Sequence, residues 1–432
     1  MDIVCYSWMM NYNLRQIMLV LVVVLLCPLA WAADTAENGE SPFLLAEAIA
    51  QARRVSPLRR AAEARVEAAI GGRYQAGRLP NPVLDIRGEN LPFRGGGGAP
   101  LDQTVDVFAV LSQPIETGGK RTARQAIAEA AVEGARAASE QAEQRLTLEV
   151  MHLYLAALRA YRLAEIITTG CKEMQTVLGM MRRRVEEGHT AEADLRRLEV
   201  EAGRLELELG RARLDFDRNA AALGMMVGVA EPIGGGRLVE PAMVDAPRGD
   251  ARELAEKVVS KHPEVLAARA RVEQARRAVE LERARRLPDI SLIAGYKRSG
   301  GDDTVVAGVV VPLPFFDRNF GNIERAQAEE QAAMLDLDAL RAQLTVETVT
   351  LVRTAQELSK YAEDAQKQIL EPAGVARSAA RAAFREGVGS LLQLVDAERA
   401  YADAHREVLT LRLDAYERVV RARFLVLGEE VR

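Results

Sequence analysis

Between Pro114 and Pro232 the 432-residue chain carries no proline. Proline stops helices because it lacks an N–H and its ring collides with the carbonyl one turn back. This run is rich in Ala, Arg, Glu and Leu, and it predicts one helix from about Glu116 to Glu187. At 1.5 Å per residue that rod is about 110 Å long, far beyond an ordinary globular helix. An aromatic content of 5% fits long packed rods better than several compact cores.

The prolines that do occur mark breaks, and two stretches between them read as β-hairpins. Residues 83–91 and 103–111 alternate in character and flank a Gly/Pro-rich turn at 92–100. Residues 289–297 and 304–311 do the same around a turn at 298–303. In the first strand Asp85, Arg87 and Glu89 alternate with Leu84 and Ile86. In the third, Ile290, Leu292, Ala294 and Tyr296 share one face, with Asp289, Ser291 and Lys297 on the other. Strands of nine to eleven residues with period two suit a tilted bilayer crossing, apolar side to lipid and charges to a wet lumen. Four strands do not close a barrel, and open edges are not tolerated in lipid, so several chains must share one.

The hairpins belong to an internal repeat. Ser56-Pro57 followed by Ala64-Arg65-Val66-Glu67 matches His262-Pro263 followed by Ala270-Arg271-Val272-Glu273. Arg78-Leu79-Pro80 matches Arg286-Leu287-Pro288, and Glu187-Gly188 matches Glu386-Gly387. Residues 33–245 and 246–432 therefore follow one plan: helix, hairpin, long helix, tight turn near 188 or 387, long helix. The helices after the turns carry 3-4 spaced seams: Leu195, Leu198, Ala202, Leu205 and Leu209 in one, Leu394, Ala397, Tyr401, Ala404 and Val408 in the other. Such spacing predicts left-handed packing against neighbouring helices. Pro372 is expected to kink the second long helix.

The N-terminus reads as an export signal, residues 1–32. The apolar run from Ile17 to Cys27 is too short to span a bilayer, and Ala30-Trp31-Ala32 offers a small-residue cleavage site. Cys171 is then the only cysteine of the mature chain, which excludes an intramolecular disulfide or a cysteine metal cluster. A net charge of -5 makes no case for nucleic acid. His152, His189, His262 and His405 are scattered, without the spacing of a tight metal site, and no nucleophile–base set stands out.

Several short motifs resemble a known family. They are Leu79-Pro80-Asn81-Pro82, Gln113-Pro114-Ile115-Glu116 with Gly118-Gly119-Lys120-Arg121, Val311-Pro312-Leu313-Pro314 and Phe316-Asp317-Arg318-Asn319. Together with the repeat they resemble the TolC-type outer-membrane efflux proteins, and within them the cobalt–zinc–cadmium resistance (CzcC-like) branch. The resemblance implies a mainly α fold with a membrane β-barrel. It implies a homotrimer, with a twelve-stranded barrel drawing four strands from each chain and a periplasmic α-helical coiled-coil barrel below. It further implies a cell outer-membrane location, a periplasmic adaptor and an inner-membrane RND pump as partners, no cofactor, and a passive exit duct instead of an enzyme.

The same resemblance implies the site residues. The turns Gly188, His189, Thr190 and Gly387, Val388, Gly389, Ser390 would contact the adaptor, and Asp396 with Gln393 would line the periplasmic entrance. Gln393 stands where some relatives carry a second acid. Lys120, Arg121 and Arg124 read equally as neighbours of lipid phosphates or as a solvated face. Two other readings stay open: a drug-efflux or type I secretion duct of the same architecture, and a soluble periplasmic coiled-coil scaffold or adaptor.

Overall fold

A computed structural model describes residues 41–91, 105–229 and 233–428. The expected signal, residues 1–32, and the turn at 92–100 lie outside the described residues. The first copy of the plan comprises α1 (Leu45–Val55), α2 (Pro57–Ala76), β1 (Val83–Glu89), β2 (Asp106–Ile115), α3 (Lys120–Glu186) and α4 (Glu192–Val227). The second comprises α5 (Ala251–Lys261), α6 (Pro263–Ala284), β3 (Ile290–Ser299), β4 (Asp302–Val310), α7 (Phe320–Ala365), a π-helical turn (Gln366–Leu370), α8 (Glu371–Arg385) and α9 (Leu391–Leu427).

Local chemistry accounts for the boundaries. Ser56 and His262 each precede a proline at the first helical position, where its missing N–H costs nothing. The Ser56 hydroxyl accepts from the Arg59 N–H, and His262 Nδ1 accepts from the Glu264 N–H at 3.3 Å. Helix α3 has 67 residues, about 100 Å of rod, and starts four residues later than the sequence predicts. Gly118 and Gly119, both at positive φ, hold the chain out of helix until Lys120. The kink expected at Pro372 takes the form of the π turn just before it, which widens the helix where the proline ring would otherwise strike a carbonyl.

The four strands form one antiparallel sheet in the order β1-β2-β3-β4. The two copies of the plan are thus joined in the sheet itself, Val107 pairing with Arg298 and Ile115 with Ile290 across β2 and β3. Strand β2 runs to Ile115, past the predicted end at Leu111, because β3 supplies it with a partner over that length. The second hairpin closes on Gly300 and Gly301, at φ 60 and 93, so its loop is shorter than the predicted 298–303. Two consecutive positive-φ residues are what a two-residue hairpin turn needs. One sheet face carries Leu84, Ile86, Leu111, Leu292, Val305 and Val309, all exposed apolar side chains.

The main core lies where both copies meet: Phe43, Ile49, Val150, Tyr154, Leu158, Leu223, Leu413 and Tyr416 form one buried cluster. Tyr154 is fully buried, and its hydroxyl donates to the Phe43 carbonyl at 2.8 Å and accepts from the Val239 N–H at 2.9 Å. Burial is the first cause that pushes its phenol pKa up. Among the described residues no helix is long and apolar enough to cross a membrane.

Candidate functional site

The first hairpin tip is built by a helix that ends on a left-handed residue. Gly188 has φ 77, and the His189 N–H reaches back to the Arg184 carbonyl at 2.8 Å while the Gly188 N–H meets the Val185 carbonyl at 3.0 Å. That is the pattern that satisfies the last carbonyls of a helix and needs a residue without Cβ at the turn. Gly387, at φ 80, repeats it with the Val388 N–H on the Ala383 carbonyl at 3.1 Å. Gly389 is needed for a different reason: a Cβ there would lie 2.9 Å from the Phe384 backbone nitrogen.

The two tips differ in how the next helix starts. Ala191 caps α4 without a side-chain bond, whereas Ser390 and Gln393 close a reciprocal capping box on α9. Gln393 accepts the Ser390 N–H at 3.0 Å, so the residue singled out for the entrance also fixes the turn. Asp396 is exposed in the second turn of α9. Val388 is the most exposed apolar side chain of the tip at 80%.

The fold brings both tips together. Their shared cluster is Met174, Leu178, Met181, Leu195 and Leu198 from the first hairpin with Phe384 and Leu394 from the second. Arg184 lies 5.8 Å from the Phe384 ring centre. Ion pairs continue the seam between the hairpins: Arg381 with Glu173, Arg399 with Glu201, Arg406 with Glu208, and Arg159 with Asp414 at 2.8 Å, while Arg381 also holds Glu398 of its own hairpin. The carboxylates of Glu398 and Glu173 hold the Arg381 pKa above its ordinary value, against its partial burial. His189 and Thr190 sit on the first tip, exposed and half-buried respectively.

At the other end of α3 the structure corrects one expectation. Lys120 touches neither lipid-facing surface nor bulk solvent: it is 8% exposed, and its Nζ donates to Asp289 Oδ1 and to the Leu287 carbonyl, each at 2.6 Å. The Thr117 N–H adds a third bond to this cluster, donating to the Asp289 carboxylate at 2.9 Å. Partial burial pushes the Asp289 pKa up, but the Lys120 ammonium and the Thr117 N–H outweigh it and hold the carboxyl below its ordinary value. Arg124 pairs with Glu116 nearby. Sequence reasoning missed this junction because its partners come from different copies of the repeat, far apart along the chain.

Among the described residues no group of three or more His, Cys, Asp or Glu is arranged to hold a metal ion. An open cleft of about 670 Å³ lies among α3, α6, α7 and α9 and is lined by Arg145, His262, Glu264, Glu347, Arg418 and Arg421. Burial, opposed by Glu264 and Glu347, lowers the His262 pKa.

Residues 48–229 and 254–426 match the family described as outer membrane efflux protein. The cobalt-zinc-cadmium resistance protein CzcC of Cupriavidus metallidurans is 28% identical over 364 residues, covering 83% of either chain. The nickel and cobalt resistance protein CnrC of the same organism is 32% identical over 321 residues, 73% of either chain. The crystal structure of the outer membrane protein VceC from Vibrio cholerae aligns with a TM-score of 0.73 at 21% identity, covering 88% of this chain and 95% of that one.

Proposed function

Since the chain belongs to the outer membrane efflux protein family, we propose that it is the exit duct of a tripartite RND-type system that discharges heavy-metal cations. It is an outer-membrane protein reaching into the periplasm, and it acts as a channel and not as an enzyme. The metal assignment draws on relatives named for cobalt, zinc, cadmium and nickel resistance.

The observation that carries the reading is the sheet. Among the described residues its outer strands β1 and β4 have one neighbour each, and one face is apolar. In lipid each unpaired N–H or C=O costs several kcal/mol, so the edges must find partners in other copies. A homotrimer satisfies them with a twelve-stranded barrel of useful bore. A second seam supports assembly below the membrane: Val200, Leu207 and Leu214 recur every seven residues on α4 and are 60%, 70% and 69% exposed. A neighbouring copy is the natural cover for them.

In this reading residues 1–32 are the signal, and residues 33–245 and 246–432 are two repeats, a division supported by the recurring element order. Gly188, His189 and Thr190 with Gly387, Val388, Gly389 and Ser390 meet the periplasmic adaptor, and Asp396 and Gln393 face the entrance. The exposed, adjacent tips fit that task. The pump supplies the energy and the duct is passive.

The test is deletion of the gene. Tolerance to cobalt, zinc or cadmium should fall and return with the intact chain. Drug sensitivity with unchanged metal tolerance would instead make it a drug-efflux duct. Recovery of the mature chain as a water-soluble protein without detergent would leave only a periplasmic scaffold.

A further inference from the structure

The polar face of the sheet is layered by charge. Across β1, β2 and β3, Arg87 pairs with Phe108 and Phe108 with Lys297, so both cations lie in one row on the same face. Lys297 Nζ sits 4.9 Å from the Phe108 ring centre, which tethers it to the wall. The next row toward the hairpin turns is acidic: Glu89 pairs with Asp106, and Ser299 with Asp302. On the other side of the cations, Asp85 lies 3.1 Å from Arg87 and is followed by Val110, Gly295 and Val306.

We propose that Arg87 and Lys297 form a cationic collar on the inner wall of the barrel, behind an acidic rim, and that this collar tempers the cation preference set by the wall's carboxylates without closing the duct to cations. The proposal rests on the duct reading, which turns the polar face inward. The opposite face leaves no other orientation. It is apolar from the row above Gln113, at the helix end of the sheet, up to the turns, where Arg298, Asp303 and Tyr296 meet one another. The turns are the level at which aromatic and charged side chains reach headgroups. Asp85 offsets Arg87 in part, so Lys297 carries more of the effect. In water a unit charge some 7 Å from an ion's path changes its local occupancy about two- to threefold, and 1 M salt screens most of that.

Reversal potentials under a KCl gradient in planar bilayers test the collar. The R87Q/K297Q channel should raise the potassium-over-chloride permeability ratio at least about threefold at low salt. The charge-preserving R87K/K297R channel should keep the wild-type ratio. If the double glutamine channel conducts with an unchanged ratio, the collar is wrong and the duct stands. If the wild type forms no conducting pore, the duct fails and the collar with it. Should the double variant not assemble, T304C in a C171S background, which lies beside Lys297 in the same row and keeps both cations, gives the second readout. An anionic methanethiosulfonate should modify it faster than a cationic one of similar size, and equal rates overturn the proposal.

Discussion

Asp289→Ala opens the junction between sheet and helix, and the structure sets the size of the effect. The carboxylate is 41% exposed on its side chain, while Lys120 is 10% exposed, so the substitution strands the lysine more than it exposes the site. Lys120 also sits in the first turn of α3, where the helix dipole disfavours a cation. Breaking a fully buried pair costs about 3–5 kcal/mol. Water takes over part of the role of a half-exposed carboxylate, which reduces the cost to about 2 kcal/mol. Because 1.36 kcal/mol is a factor of ten, hydrogen exchange at the Thr117 amide, which donates to Asp289, should speed up about 30-fold. Asp289→Asn keeps an acceptor and should cost about half as much. Adding Lys120→Met to Asp289→Ala should restore stability in a denaturant melt, since no buried charge then lacks a counter-charge, while the Thr117 amide, its acceptor gone, stays fast. Strictly additive losses, or a Thr117 amide that does not respond to Asp289→Ala, would refute the reasoning. The pH dependence has a fixed sign. The folded pKa of Asp289 lies below its ordinary 3.8, so its contribution is present above that value and is lost as the pH falls through the lowered one. Wild type and Asp289→Ala should therefore converge in stability only in strong acid.

The N-cap at His262 predicts a second pH effect. Its Nδ1 accepts an N–H only when the ring is neutral, and burial lowers its pKa below 6.5, so stabilisation is present above 6.5 and lost as the pH falls through the lowered value. His262→Asn, a good N-cap without a titration in that range, should flatten the acid limb of a thermal-melt series between about pH 7 and 5. On α4, Leu207→Glu with Leu214→Glu places charge on a seam that the chain itself leaves open. Both side chains are exposed in the single chain, so its fold should hold while the oligomer band on a native gel is lost; an intact oligomer counts against that seam as an interface.

Sequence reading reached the architecture where the signal was local or periodic. Proline spacing located the rods, alternation located the strands, and 3-4 spacing picked out the faces of α4 and α9 that turn inward, with Leu198, Ala202, Ala404 and Val408 all buried. Both tip glycines were legible because a helix reversal without Cβ strain has few solutions. What stayed hidden depends on chain geometry. The Lys120–Asp289 contact and the charge rows on the sheet follow from pairing β2 with β3, which no local pattern announces. The π turn before Pro372 is one of several ways a helix can absorb a proline, and the choice is made by its packing.

That pairing of β2 with β3 also bears on how the chain is made. Every element from α3 to α6 is threaded between the two partners, so the wall has to wait for the second half of the polypeptide to leave the translocation machinery. Closing a contact over so long an intervening segment is slow, and until then the β1–β2 hairpin is an isolated ribbon with little stability of its own. The late-synthesised half therefore decides when assembly starts, and a chaperone that shields the early ribbon during that interval has a defined target in its apolar flank.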